Sequence, residues 1–198
     1  MKIFAASDFH GDKQLAKELA EKAAKEKVDL VLLAGDLSDA EGSMEGIVGP
    51  FKAKGLEVGV IPGNHDGLAE IGFLVDKYGA KNLHGYHLQK GDIGIFGCGY
   101  GNVGMHQLSE EDVFSSLKKS HDSLQKVKKK IMLTHMHPED SIFGLGVFPG
   151  SEGIKKALEE FKPDVHICGH MHESEGIEEM IGQTRVINVG RKGKILEF

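Results

Sequence analysis

Gly63-Asn64-His65-Asp66 sets an amide oxygen, an imidazole and a carboxylate side by side, directly after the apolar run Leu56–Ile61. Gly63 and Gly67 flank the three polar residues and permit a sharp turn. Four other apolar runs end in groups of the same kind: Asp8 with His10, Asp36, His135, and His170 with His172. As potential ligands these stretches offer two Asp, one Asn and four His, and no thiolate. Mixed oxygen and nitrogen donors without sulfur suit Mn, Fe, Ni, Co or Zn rather than a structural cysteine–zinc site. A carboxylate has two oxygens, so one Asp can bridge two cations about 3.5–4 Å apart. Such a pair supplies hydroxide near neutral pH, orients a reacting group and neutralises charge on transferring phosphoryl oxygens.

Taken singly, each element has a plain reading. Asp36 could cap a turn, His135 could be a satisfied core histidine, and His170-Met171-His172 could be a polar loop. The joint occurrence at five strand ends is what argues for a site, because open α/β sheets bind ligands beyond the carboxyl ends of their strands.

Composition narrows the partners. The net charge of −6 is a poor match for long nucleic acid. Of 24 basic residues only Arg185 and Arg191 are arginine, so bidentate clamps on phosphate are scarce. No apolar run approaches the length of a membrane span. The start, Met1 to Asp8, lacks a cleavage pattern, and Cys98 and Cys168 sit in apolar segments that suit buried free thiols. These features point to a cytoplasmic protein. At 198 residues the chain suits one domain, 1–198.

The elements that must position these groups alternate strand and helix. Lys2–Ala6, Asp29–Ala34, Leu56–Ile61, Asp92–Gly97, Ile131–Thr134 and Val165–Cys168 read as strands. The continuous run Leu30–Leu33 suits a strand covered on both faces. An extended backbone would point Asp8 and His10, two apart, to one side. Asp12 can cap a helix with Leu15, Leu19 and Ala23 on one face, and Ser109 to Asp112 has capping-box spacing for a helix to about Lys126. Further helices are expected over 41–54, 69–78 and 152–161, the last stopping before Pro163. Leu83–Leu88 reads as an edge strand, and Lys126–Lys130 as a solvated helix end. Residues 176–198 read as three short antiparallel strands with turns near Gly182 and Gly193.

The blocks Asp8-Phe9-His10, Gly35-Asp36, Gly63-Asn64-His65-Asp66, Thr134-His135 and Gly169-His170-Met171-His172 occur in the order of the five motifs of calcineurin-like metallophosphoesterases, and across most of its length the chain resembles that family. The resemblance implies a four-layer α/β/β/α sandwich of two mixed sheets flanked by helices. It implies one metal held by Asp8, His10, Asp36 and His172, and a second held by Asp36, Asn64, His135 and His170. His65 would serve the leaving group, with Asp66 orienting it and Asn64 helping to hold the phosphoryl oxygens. The size and the Gly-His-Met-His block look most like the small microbial phosphodiesterases of the family, and manganese is the first choice of metal.

Two departures bear on this transfer. No Arg follows Gly35-Asp36, which argues against the protein Ser/Thr phosphatase branch. His137 stands where Pro is frequent, and it could touch substrate phosphate or face solvent near the site. The implied activity is hydrolysis of a small, nucleotide-like phosphodiester by a metal-bridging hydroxide. The alternatives are a non-catalytic scaffold of the same fold and a nuclease. Specificity is expected in the loops 99–108, which carries His106, and 139–150; oligomeric state is open.

Overall fold

Short runs of four to six residues that are buried along their whole length make the centre of the molecule, as expected for strands covered on both faces. A computed structural model describes residues 1–39 and 42–198. The chain runs β1 (Lys2–Ala6), α1 (Lys13–Lys25), β2 (Leu30–Ala34), α2 (Gly49–Ala53), β3 (Val58–Ile61), α3 (Leu68–Tyr78), β4 (Lys81–Asn82) and β5 (His87–Lys90). It continues β6 (Ile93–Cys98), α4 (Glu110–Asp122), β7 (Lys129–Thr134), α5 (Glu152–Phe161), β8 (Val165–Cys168), β9 (Glu178–Ile181), β10 (Thr184–Asn188) and β11 (Lys194–Glu197).

Two mixed sheets form. One has the order β11-β1-β2-β3-β4, the other β5-β6-β7-β8-β10-β9. Ile3, Leu30, Leu32 and Ile61 of the first sheet meet Ile95, Ile131, Leu133 and Ile167 of the second in a shared core. The outer face of the first sheet packs on α1, α2 and α3 through Phe4, Leu19, Val31 and Phe51. The outer face of the second packs on α4 and α5 through Phe96, Leu117, Met132 and Phe161. This is the expected α/β/β/α sandwich.

Register puts the strand ends side by side. In the first sheet Ala6 pairs with Leu33, and Ala34 with Ile61. In the second, Cys98 pairs with Thr134, and Leu133 with Ile167. The loops that follow therefore leave one edge of the sandwich together. Asp12 caps α1 by accepting from Leu15 N at 2.9 Å, and Ser109 caps α4 by accepting from Asp112 N at 3.1 Å.

Several boundaries differ from the sequence expectation. Only Gly49–Ala53 of the expected helix over 41–54 is helical; Glu41 lies outside the described residues. The edge strand expected at Leu83–Leu88 is for the most part a connection: β4 ends at Asn82, only His87 and Leu88 lie in β5, and the chain crosses between them from the rim of one sheet to the rim of the other. α4 ends at Asp122, and Lys129 and Lys130 belong to β7 rather than to a helix end. The tail divides as well: β10 runs parallel to β8, while β11 joins the first sheet antiparallel to β1. Among the described residues no helix is long and apolar enough to cross a membrane. Cys98 and Cys168 are buried free thiols, and burial pushes the Cys98 thiol up to about 12.

Candidate active site

The loop after β1 carries Asp8 and His10, and neither is extended. Their φ values are 59° and 46°; Asp36 and His170 are also left-handed, at 50° and 68°. Asp and His tolerate this region better than most residues, but each such residue costs about 1–3 kcal/mol. The expected side-by-side presentation from an extended backbone is thus replaced by tight left-handed turns. Positive φ at four residues that carry ligand groups is strain held at one place by its surroundings.

The side chains from the five loops converge. Asp8, His10 and His172 bring one ligand atom each within 4.8 Å of one another, and so do Asp36, His135 and His170. In the first set His10 Nε2 faces His172 Nε2 at 3.2 Å, and His172 Nε2 lies 3.6 Å from Asp8 Oδ1. In the second, His135 Nε2 lies 3.4 Å from Asp36 Oδ2, 3.0 Å from Asn64 Oδ1 and 3.3 Å from His170 Nδ1. Asp36 stands between the sets, with Oδ2 also 3.8 Å from His10 Nε2 and 4.0 Å from His65 Nε2.

Buttresses fix these groups. His135 Nδ1 donates to Ala34 O at 2.8 Å, which turns Nε2 toward Asp36 and Asn64. Asp8 accepts from Ser7 Oγ at 2.5 Å and from His170 N at 3.1 Å. Arg191 Nη1 donates to Asp8 O at 3.0 Å, and its Nη2 pairs with Asp12 Oδ2 at 2.7 Å. Asn188 Nδ2 donates to Met171 O at 2.7 Å and steadies the loop between His170 and His172. Gly63 is demanded by space, since a Cβ there would stand 2.1 Å from Asp36 Oδ1.

Electrostatics follow from burial and proximity. Burial works against a charge on His135, but attraction and a hydrogen bond from Asp36 outweigh it and hold the imidazole up at about 9. Asp36 is held below the usual carboxylate range: burial opposes this, and His135 and the His65 N–H more than offset it. Burial, with His135 nearby, pushes His170 down to about 4. Burial also lowers His10, against the pull of Asp36 and Asp8.

Two expectations change. Asp66 does not turn toward the His65 ring: it accepts from Gly63 N at 2.8 Å, Leu37 N at 3.1 Å, and Ser38 N and Oγ at 2.9 Å each. Its carboxylate instead fastens the loop after β3 to the loop after β2, leaving no bond for His65. His137 does not face solvent, for it is fully buried and its ring stacks with that of His170 at 6.5 Å.

Three residues escaped the sequence reading. The Asp39 carboxylate comes within 4.8 Å of ring nitrogens of both His10 and His65. Its only sequence signal is an acid three places after Asp36 in the same loop. Arg191 and Asn188 escaped too, since a lone Arg or Asn in a tail carries no pattern.

Known proteins agree with this architecture. No curated protein matches the sequence significantly. Among solved structures, a Thermus thermophilus protein superposes with a TM-score of 0.78 at 18% identity, covering 98% of this chain and 97% of its own. An archaeal phosphodiesterase has a TM-score of 0.57 at 19% identity, covering 96% and 84%. The E. coli phosphoesterase Yfce has a TM-score of 0.51 at 18% identity, covering 98% and 81%. At these identities the likeness is one of fold. The family model for calcineurin-like phosphoesterases matches residues 1–174, a span that takes in all five motif loops, and the chain belongs to that family.

Proposed function

We propose that the chain is a phosphodiesterase for small, nucleotide-like substrates, with residues 1–198 acting as one metallophosphoesterase domain that holds two divalent cations. The position of Asp36 carries this reading, because one of its oxygens reaches toward both acid–imidazole sets.

The donor set fits cations. Ring nitrogens and side-chain oxygens face one another at 3.0–3.8 Å across both sets, contacts that protons bridge in the metal-free protein and that a cation can take over. Asp8, His10, Asp36 and His172 would hold one ion; Asp36, Asn64, His135 and His170 would hold the other. Manganese is the first candidate, and Fe, Ni, Co or Zn suit the same donors. When bound, the pair supplies a water-derived nucleophile near neutral pH and offsets phosphoryl charge.

The chain's own groups have the remaining work. Asn64 steadies a phosphoryl oxygen. His65, whose side chain is one-third exposed at the edge of the site, gives its proton to the departing alkoxide. The Asp39 carboxylate, within 4.8 Å of a nitrogen of that ring, would orient it. Water adds to phosphorus and releases one proton to solvent, the ester P–O bond breaks, and the alcohol leaves with the proton from His65, which solvent then restores. A complete donor set weighs against a non-catalytic scaffold, and the negative net charge against a nuclease. Two buried free thiols suit the reducing cytoplasm.

The test is turnover of bis(4-nitrophenyl) phosphate and 4-nitrophenyl phosphate with each metal, in wild type and His65→Ala. Metal-dependent cleavage that favours the bis-ester supports the reading. Wild-type protein that binds metal yet cuts neither ester contradicts it.

A further inference from the structure

Two loops border the acid–imidazole sets, and both present apolar side chains to water. The first, 99–108, follows β6 and lies on Asn64. His106 N donates to Asn64 O at 3.2 Å, and a Cβ on Gly104 would stand 2.6 Å from Asn64 Nδ2. The second, 139–150, reaches the same set from its other side through His137, whose Nε2 lies 3.4 Å from Phe148 O while its ring stacks with His170. Six of the ten large apolar side chains exposed among the described residues fall in these loops: Val103, Met105, Ile142, Leu145, Val147 and Phe148. Apolar residues scattered singly over a surface need no explanation; their concentration in two loops that touch the site does.

The loops are anchored. Asn102 Nδ2 donates to Gly150 O and to Glu110 Oε1, each at 2.8 Å, and so joins the base of one loop to the end of the other. Glu110 Oε2 accepts from Ser151 Oγ and Gly153 N, each at 2.6 Å. This clamp holds both loop bases to the starts of α4 and α5, so the apolar tips form a prepared rim rather than a loose one. Neither loop contains a lysine or an arginine. The loops therefore hold no permanent positive charge for a second phosphate or a polynucleotide backbone.

We infer that this rim receives the ester group that stays on the phosphate, and that this group is apolar: a short alkyl chain or an aromatic ring, with no charge beyond the scissile phosphate. The inference rests on the phosphoesterase reading above and departs from its nucleotide-like substrate class: the group that stays on the phosphate is apolar in place of a nucleoside. Val147 and Phe148 supply fixed apolar area, and Met105 an adaptable one. Each methylene fully buried there would tighten binding about fourfold.

Two experiments on the manganese-loaded protein test this. The first compares hydrolysis of 4-nitrophenyl phosphodiesters whose second ester group is methyl, butyl, hexyl or phenyl, beside the thymidine 5′ ester. The second titrates methyl-, butyl- and hexylphosphonate by calorimetry, a readout independent of turnover. The expected result is a KM that falls and a phosphonate affinity that rises along the alkyl series, by about two- to fourfold per methylene. A negative heat-capacity change that grows with chain length should accompany it. In the double variant Met105→Ser, Phe148→Ser the hexyl-to-methyl affinity ratio should fall toward one. A flat series in both experiments, or a thymidine ester preferred over hexyl and phenyl, overturns the inference. If no ester is cleaved the phosphoesterase reading fails, and the phosphonate series still decides the rim: graded supports it, flat overturns it.

Discussion

The two acid–imidazole sets are built from similar residues and stand in different surroundings. His135 is fully buried, its ring locked by Ala34 O and its Nε2 turned to a buried Asp36. In the other set the His10 side chain is 22% exposed and that of His172 51%. One half of the site is therefore organised by the fold, and the other is left open to solvent. A preorganised ligand set holds its ion tightly, while an open one exchanges ions and admits substrate. Asp36 belongs to the first by burial and to both by reach.

The largest effect is expected where the sets meet. Asp36→Asn should lower activity by more than about a hundredfold and weaken metal binding at both sets, measured by manganese calorimetry beside turnover. If only one binding event weakens, the carboxylate is not shared.

A stability contrast comes next. His135→Ala strands a buried Asp36 charge and should cost metal-free protein about 3–5 kcal/mol in urea unfolding. His172→Ala should cost less than about 1 kcal/mol there, because its ring is half exposed. Equal losses would erase the distinction between a built and an open set.

The pH dependence of metal-free protein should carry the same signature. His135 is raised from 6.5 to about 9, so its stabilisation is full below 6.5 and drains as pH rises through 9. His170 is lowered from 6.5 to about 4, so its contribution is full above 6.5 and lost as pH falls through 4. Stability in chelator should therefore peak near pH 6.5. Coordination requires neutral imidazoles, so added manganese should shift that peak upward and release protons on binding. Urea midpoints across this range, with and without metal, measure both.

Smaller again is the effect at the edge of the open set. Asp39→Asn should slow turnover about tenfold with an alkyl leaving group, and less with 4-nitrophenolate, which needs little protonation. Equal slowing of both would remove Asp39 from leaving-group chemistry.

How far the sequence carried this picture varies by element. The strands β2 and β3 were legible because burial on both faces demands continuous apolar runs, and the ligand groups because they follow such runs. The loop geometry was not. Nothing local forces Asp8, His10, Asp36 and His170 into left-handed turns; contacts such as Arg191 on Asp8 O and Asp66 on Leu37 N hold them there. The resemblance paired Asp66 with His65, whereas its bonds run to the N–H groups of Gly63, Leu37 and Ser38 and to the Ser38 hydroxyl. The crossing from β4 to β5 and the division of the tail between sheets depend on pairings distant in sequence, which local pattern does not encode.

Anomalous diffraction at the manganese edge, from crystals grown with the metal, tests the shared carboxylate most directly. The account predicts two peaks about 3.5–4 Å apart, one against Asp8, His10 and His172 and one against Asn64, His135 and His170, with Asp36 touching both. A single peak, or a second ion out of reach of Asp36, would contradict it.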